Sequence, residues 1–352
     1  MTASIHLLTQ TPAELRTWCI NRELPAFRAS QVRKWVFQRR AGGFEEMTDL
    51  PKPLRGQLAS EFALWTTRIA AHRKADDGTE KLLLEMGDDQ RVECVLLRND
   101  RGHCAICVSS QVGCGMGCAF CASGMDGVVR NLTNGEIIEQ MLRLQQLLSA
   151  EERLSHVVVM GMGEPLANLD NVLAALAAAA DADGLGISAR RITISTVGLP
   201  PAIRRLADMD CQYHLAVSLH AADDELRNRI VPANRNLGVA AILAAADYYF
   251  EKTGRRVTYE YVLLRDVNDR PEHARQLVAL LKGRPALVNV IPYNAVPGLP
   301  FRGPQPAAVR QFTETLTQGG LVAEVRRRKG EKIDAACGQL RRGEGGRRRV
   351  EG

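Results

Sequence analysis

The hydrophobic pattern divides the chain into segments of different period. Over residues 1–65 apolar side chains recur at three- and four-residue spacing (Leu15, Trp18, Cys19; Val32, Trp35, Val36; Leu54, Leu58, Phe62), broken by Pro25, Gly42-Gly43, Pro51 and Pro53. This is the stripe of short amphipathic helices and predicts a compact helical module, with Arg28, Arg33, Lys34, Arg39 and Arg40 making one face basic. Residues 66–100 switch to extended character. A turn at Asp76-Asp-Gly-Thr79, then apolar runs at 81–86 and 92–97, predict a β-hairpin linking two domains.

From residue 101 to 340 strand-like and helical runs alternate. The strands are expected at 105–108, 157–160, 192–196, 215–219, 257–264, 288–292 and 321–325, the helices at 135–148, 169–180, 200–206, 239–250, 273–281 and 307–317. Such alternation predicts an α/β fold with a parallel sheet or barrel and helices outside. Functional groups then collect beyond the carboxyl ends of the strands. The chemically distinctive residues obey that rule: Cys114–Cys121, Gly161-Met-Gly-Glu164, Ser195, Ser218-Leu-His220 and Asn294 each follow or end a predicted strand. Residues 341–352 read as an Arg-rich tail.

Composition narrows the class. With 352 residues, 45% hydrophobic and 24% charged, the chain suits one large domain with a smaller attachment, and it is neither disordered nor collagenous in character. Apolar stretches such as 174–180 are far too short to cross a bilayer, so no membrane partner is expected. The first residues do not read as a secretory leader, which points to the cytoplasm. The net charge of +6 is uneven: residues 1–73 hold eleven Lys/Arg against six Asp/Glu, residues 326–349 ten against three, and the stretch between is acidic. Basic ends of this kind suit a polyanion, although a solvated basic tail has the same composition.

Five of the nine cysteines fall at 104, 107, 114, 118 and 121. Cys19, Cys94 and Cys211 sit among apolar neighbours and read as small buried hydrophobes. Cys337 lies among small residues between two Arg clusters, where a thiol has little bulk around it. In Cys114-Gly-Met-Gly-Cys118-Ala-Phe-Cys121 three thiols lie close enough to grip one inorganic centre. Three ligands suit an iron–sulfur cube that keeps one iron open, whereas structural zinc takes four. Pairing Cys104/Cys107 with Cys118/Cys121 gives the competing zinc reading, which leaves Cys114 idle.

The Cys-x3-Cys-x2-Cys spacing at the head of an alternating α/β domain resembles the radical S-adenosylmethionine superfamily. Within it, Cys107-Val-Ser-Ser-Gln-Val-Gly-Cys114, Arg130-Asn-Leu-Thr133, Gly161-Met-Gly-Glu-Pro-Leu166, Ser218-Leu-His-Ala221 and Asp334-Ala-Ala-Cys-Gly-Gln-Leu340 closely resemble the RlmN/Cfr family of RNA adenine methyltransferases. The likeness runs from Phe27 to about residue 340. It implies a partial (βα)6 barrel with a small N-terminal helical domain, serving RNA binding, and a linking β-hairpin.

The resemblance also implies the chemistry. Cys114, Cys118 and Cys121 would hold a [4Fe-4S] cluster, and Gly163, Glu164, Ser195, Ser218, Leu219, His220 and Asn294 would bind S-adenosylmethionine. A reducing electron donor is required. Aromatic C2 of adenine carries no acidic proton, so a displacement at the sulfonium cannot methylate it and radical delivery is needed. Cys337 would carry the methyl group to the ring, giving a covalent RNA adduct, and Cys107 would attack the Cys337 sulfur to release the product. Glu93, with one residue more before Cys107 than the family pattern has, matches the proton acceptor. The implied substrates are an adenosine in the peptidyl-transferase centre of 23S rRNA and the adenosine 3′ of certain tRNA anticodons. Three other readings share some of these residues: an adenine-C8 methyltransferase of the Cfr type, a radical enzyme acting on a protein or small molecule, and a zinc-containing RNA-binding protein.

Overall fold

The structure, a computed structural model, describes residues 4–99, 103–209, 211–326, 329–341 and 343. Most of the Arg-rich tail, including Arg347, Arg348 and Arg349, lies outside the described residues. The first segment contains β1 (Ile5–His6), α1 (Pro12–Ile20), α2 (Phe27–Phe37), α3 (Lys52–Glu61) and β2 (Phe62–Ala63). Thr11 starts α1 with a capping box: its hydroxyl accepts from the Glu14 N–H at 3.2 Å, and Glu14 Oε2 accepts from the Thr11 N–H at 2.7 Å. The expected stripe is buried, with Leu15, Val32, Val36, Leu54 and Leu58 in the core. The pattern did not reveal that β1 and β2 pair in parallel, Ile5 opposite Phe62, tying the two ends of the module together.

The linking segment differs from expectation. It forms β3 (Arg68–Lys74), β4 (Glu80–Glu85) and β5 (Arg91–Arg98), an antiparallel meander whose last strand pairs with β6 (His103–Cys107). The predicted two-stranded linker is therefore three strands continuous with the main sheet, and the turn at 76–79 joins β3 to β4. β3 escaped notice because it is an edge strand, mostly exposed and rich in Arg and Lys, so no apolar run marks it.

Next, β7 (Gln111–Gly113) and β8 (Val128–Asn131) form a short ladder, and the alternating elements follow. These are α4 (Asn134–Gln145), β9 (Arg153–Val159), α5 (Leu169–Ala180), β10 (Ile192–Thr196), α6 (Pro200–Ala207), β11 (His214–Ser218), α7 (Asp224–Ile230), α8 (Val239–Thr253), β12 (Val257–Leu263), α9 (Pro271–Leu281), β13 (Ala286–Pro292), α10 (Pro306–Gln318) and β14 (Val322–Val325). Every strand and helix expected between 105 and 325 is present. The additional α7 carries too few apolar residues to show a stripe.

One ten-stranded sheet runs β14-β13-β12-β11-β10-β9-β6-β5-β4-β3. From β6 to β14 all neighbours are parallel. The units β6–α4, β9–α5, β10–α6, β11–α8, β12–α9 and β13–α10 make six strand–helix repeats, with β14 as a further parallel strand. The sheet keeps two free edges, so any barrel it forms is partial.

The helical module docks on this domain through charge as well as apolar contact. Arg33 pairs with Asp181 at 3.1 Å, Lys34 with Asp183 at 3.6 Å, and Arg40 donates to Leu148 O at 2.8 Å. Part of the basic face expected on α2 is thus turned against the neighbouring domain, and Arg33 is buried. Glu139 of α4, fully buried, accepts from the N–H and hydroxyl of both Thr66 and Thr67 at 2.6–3.0 Å and faces His6 Nε2 at 3.3 Å. One carboxylate thereby joins module, meander and barrel helix. Among the described residues no helix is long and apolar enough to cross a membrane.

Candidate active site

The loop 114–127 is pinched at its base by β7 and β8, Gly113 opposite Val128, with Cys114 N–H donating to Gly127 O at 3.0 Å. Gly113 has φ +79°, and a Cβ there would lie 2.0 Å from Gly127 O, so only glycine closes this neck. Within the loop the Cys121 N–H donates to Cys118 O at 3.1 Å, folding the three cysteines around one space. Cys114, Cys118 and Cys121 are half-buried and line a single cavity. Burial pushes all three thiols up, Cys114 to about 11; the Cys121 sulfur adds to the rise at Cys114 and Cys118, and Cys337 to that at Cys121. Such thiols stay protonated until a metal displaces the proton.

Among the described residues no three His, Cys, Asp or Glu groups are close enough to share one metal ion. An iron–sulfur cube, unlike a single ion, lies between thiolates that stay well apart. The zinc alternative also fails at Cys104 and Cys107. Three apart on β6, they point to opposite faces: Cys104 Sγ reaches Glu152 Oε1 at 3.8 Å, whereas Cys107 faces the Cys337 side. They cannot close on one ion.

The same cavity is lined by Gly163, Glu164, Ser195, Ser218, His220 and Asn294, each at or just beyond a strand's carboxyl end. Gly163, at φ +102°, passes so near β7 that a Cβ would meet Gln111 at 2.6 Å. Burial raises the Glu164 carboxyl, while its oxygens accept from Leu166 N–H at 3.0 Å and Val197 N–H at 2.8 Å. The hydroxyls of Ser195 and Ser218 lie 3.4 Å apart on neighbouring strands. His220 is held down to about 3 by burial and by Arg227, so it is neutral; the Val262 N–H donates to its Nδ1 at 3.2 Å, which leaves the proton on Nε2. Asn294 is buried, and its Oδ1 has no hydrogen-bond partner among the described residues. That orphan acceptor, the paired hydroxyls and the glycine-walled cleft fit a ligand with amino and hydroxyl donors, as S-adenosylmethionine has. Leu219 does not join them: its side chain is fully buried, its N–H donates to Glu260 O at 3.1 Å and its carbonyl accepts from Arg227 at 2.9 Å.

Cys337 lines this cavity and also an adjoining one that contains Cys107. Burial pushes the Cys107 thiol up to about 12; the neighbouring Cys337 sulfur adds to the rise, and Arg326 and a Met160 hydrogen bond oppose it. Arg326, counted in the sequence with the basic stretch 326–349, turns inward. Its N–H donates to Val290 O at 2.8 Å, and its guanidinium lies 4.0 Å from buried Glu260 and within reach of both cysteines.

The segment carrying Cys337 is strapped at both sides. Gly330 N–H donates to Asp77 at 2.9 Å, Gln339 Nε2 to Ala295 O at 2.9 Å, Ala122 N–H to Gly338 O at 2.8 Å and Ser123 Oγ to Leu340 O at 2.7 Å. Glu93 belongs to this strap. Its Oε1 pairs with Lys81 at 2.8 Å and its Oε2 accepts from the Arg341 N–H at 2.9 Å, while burial raises its carboxyl against the Lys81 charge. Val95 pairs with Cys107 in an unbroken ladder that runs to Arg98 opposite Cys104. Glu93 therefore sits two residues along on the Cys107 face. Arg227, Arg326, Glu260 and Lys81 were missed because nothing in their sequence spacing separates a buried charge from a solvated one.

Residues 108–278 match the radical SAM superfamily, and residues 5–64 match the ribosomal RNA large subunit methyltransferase N-terminal domain. A "Probable dual-specificity RNA methyltransferase RlmN" of Rhodopirellula baltica is 58% identical over 97% of this chain and 91% of its own. The protein of that name from Staphylococcus aureus is 45% identical over 93% of this chain and 90% of its own. The crystal structure of a radical SAM methyltransferase from Sphaerobacter thermophilus superposes with a TM-score of 0.93 at 41% identity, over 96% of this chain and all of that one.

Proposed function

Because the chain belongs to the RlmN family of radical SAM RNA methyltransferases, we propose that it methylates C2 of adenosine in 23S rRNA and in tRNA, using Cys337 to carry the carbon. The observation that carries this reading is the position of Cys337, which faces the three-cysteine cavity on one side and Cys107 on the other. Cys114, Cys118 and Cys121 would hold the iron–sulfur cluster, which together with bound S-adenosylmethionine would supply the methyl group and a 5′-deoxyadenosyl radical.

The remaining work falls to the chain's own residues. Asn294, Ser195 and Ser218 orient the ligand by hydrogen bonds, and neutral His220 offers Nε2–H as a further donor. The target base leaves its stack to enter the cavity; Met125 on the cysteine loop and Val128 and Val129 on β8 are exposed apolar residues. Cys107 then attacks the Cys337 sulfur. An S–S bond forms as the bond from sulfur to the transferred carbon breaks, and that carbon keeps the electron pair and takes up a proton. Glu93, kept in the buried strap by Lys81, accepts the proton lost from C2.

Mass spectrometry of rRNA and tRNA digested after reaction tests the assignment. 2-Methyladenosine in both RNAs is expected. 8-Methyladenosine would instead place the enzyme with the Cfr type, and no modified adenosine would refute both.

A further inference from the structure

Among the described residues Arg227, on α7, is the largest side chain with no exposed surface. All its hydrogen bonds go to uncharged acceptors: Nε to Leu219 O at 2.9 Å, Nη2 to Val197 O at 2.5 Å and Ser218 O at 3.0 Å, and Nη1 to Asn234 Oδ1. Among the described residues it forms no direct ion pair with a carboxylate. Asp224 makes no direct contact: it acts on Arg227 from a distance and through Asn234, whose Nδ2 donates to Asp224 Oδ1 at 2.7 Å. A buried cation left without a counter-ion is costly, so a protein that keeps one has a negative group to set against it.

The geometry indicates what that group is. α7 is fastened to the cysteine loop, since Ile230 O accepts from the Ala119 N–H at 2.9 Å, next to Cys118. Val197, whose carbonyl Arg227 holds, lines the cavity alongside Cys118. The Cys118 sulfur lies within electrostatic reach of the guanidinium. Three thiolates on an iron–sulfur cube leave a net negative charge that grows by one on reduction. We propose that Arg227 is the fixed positive counterpart of the cluster, stabilising its reduced form and so making electron uptake easier. It acts as a positioning residue too, because the same guanidinium ties the ends of β10 and β11, where Val197 and Ser218 stand. This inference rests on reading Cys114, Cys118 and Cys121 as the cluster ligands.

The test uses full-length protein prepared without oxygen: wild type, Arg227→Gln and Asp224→Asn. Iron and sulfide are assayed first, then the cluster is titrated by electron paramagnetic resonance against redox dyes. Arg227→Gln should lower the one-electron reduction constant by about tenfold, a midpoint about 59 mV more negative. Asp224→Asn keeps the Oδ1 acceptor for Asn234 and Val239 but removes the negative charge beyond Arg227, and its midpoint should move the opposite way. Either variant holding a full cluster at the wild-type midpoint overturns the inference. Should Arg227→Gln fail to retain a cluster, Asp224→Asn decides alone. A wild-type protein that takes up no iron and sulfide would instead defeat the cluster reading itself.

Discussion

Cys107, the last residue of β6, and Cys337, in the strapped carboxyl-terminal loop, line one cavity, and the Cys337 sulfur adds to the burial that resists ionisation of the Cys107 thiol. Two thiols so placed can exchange a carbon-bearing sulfide for a disulfide without any large rearrangement of the sheet. The two cysteines have separable roles that mutation exposes. In Cys337→Ala methyl loading is abolished, and peptide mass spectrometry shows no methylated cysteine in the loop. In Cys107→Ala loading persists, turnover falls to background, and the protein is isolated with RNA covalently bound. A Cys107→Ala enzyme that turns over normally and purifies free of RNA removes Cys107 from the release step.

The Cys107 thiol is held up to about 12, mainly by burial. Its neutral form therefore dominates at pH 7, and below that value the thiolate fraction grows about tenfold per pH unit. Alkylation of Cys107 by iodoacetamide, followed by mass spectrometry, should still be climbing between pH 9 and 10, where an ordinary thiol with a pKa of about 8.5 has levelled off. Arg326→Met removes a charge that favours the thiolate and should slow alkylation at every pH in that range. A plateau near pH 9 would show that Cys107 is not held in a desolvating pocket.

These two sites illustrate what the sequence reveals and what it hides. Cys114, Cys118 and Cys121 stand out by their spacing and Cys337 by its small neighbours, so each could be picked out locally, while the roles proposed for them came from the family resemblance. The alternating period likewise marked each parallel strand and its following helix, because buried strands and amphipathic helices carry their packing in their own composition. Edge strand β3, exposed and basic, carries no such imprint. Arg326 and Arg227 are written with the same letter as the tail arginines, and only the fold turns them inward. The zinc reading failed for a related reason: the Cys104/Cys107 pair looks like a chelate until β6 is known to be a strand, which sends the two sulfurs to opposite faces.

Gly163 tests the cleft wall. At φ +102°, and with Gln111 2.6 Å from a would-be Cβ, alanine forces either the β7 segment or the glycine loop outward. Gly163→Ala should weaken S-adenosylmethionine binding by about tenfold or more while leaving iron content unchanged. Isothermal titration with the ligand measures the first, and colorimetric iron assay the second. Unchanged affinity would mean that the wall does not touch the ligand.

Glu139 tests how the helical module is held. Removing its carboxylate leaves the N–H and hydroxyl groups of Thr66 and Thr67 unpaired in a buried site, together with the charge of Arg143. Glu139→Ala should destabilise the protein by about 3 kcal/mol or more. In a thermal melt followed by circular dichroism this appears as a fall of about 5 °C or more. Glu139→Gln keeps one acceptor oxygen and should fall between. A Glu139→Ala melt within a degree of wild type would show that the module is held by its apolar contacts alone.

Lys81 reaches two parts of the strap at once, Glu93 Oε1 at 2.8 Å and Asp334 O at 2.9 Å. Replacing it with methionine leaves Glu93 as a buried carboxylate held by the Arg341 N–H and the weaker pull of the Arg341 charge, and its raised carboxyl should rise further, because the main charge that opposed desolvation is gone. Glu93 would then take up a proton more readily, and the Asp334 carbonyl would lose its donor. Both changes loosen the segment that presents Cys337. In Lys81→Met, brief trypsin treatment should cut at Lys329, Lys332 and Arg341 several times faster than in wild type, read by mass spectrometry of the released peptides. Formation of the Cys107–Cys337 disulfide under mild oxidation should slow in parallel, since a looser loop spends less time with its sulfur over Cys107. Equal cleavage with equal disulfide formation would show that the hydrogen bonds to Asp77, Ala122 and Ser123 hold the loop without Lys81, and Glu93 would then owe its place to Arg341 alone.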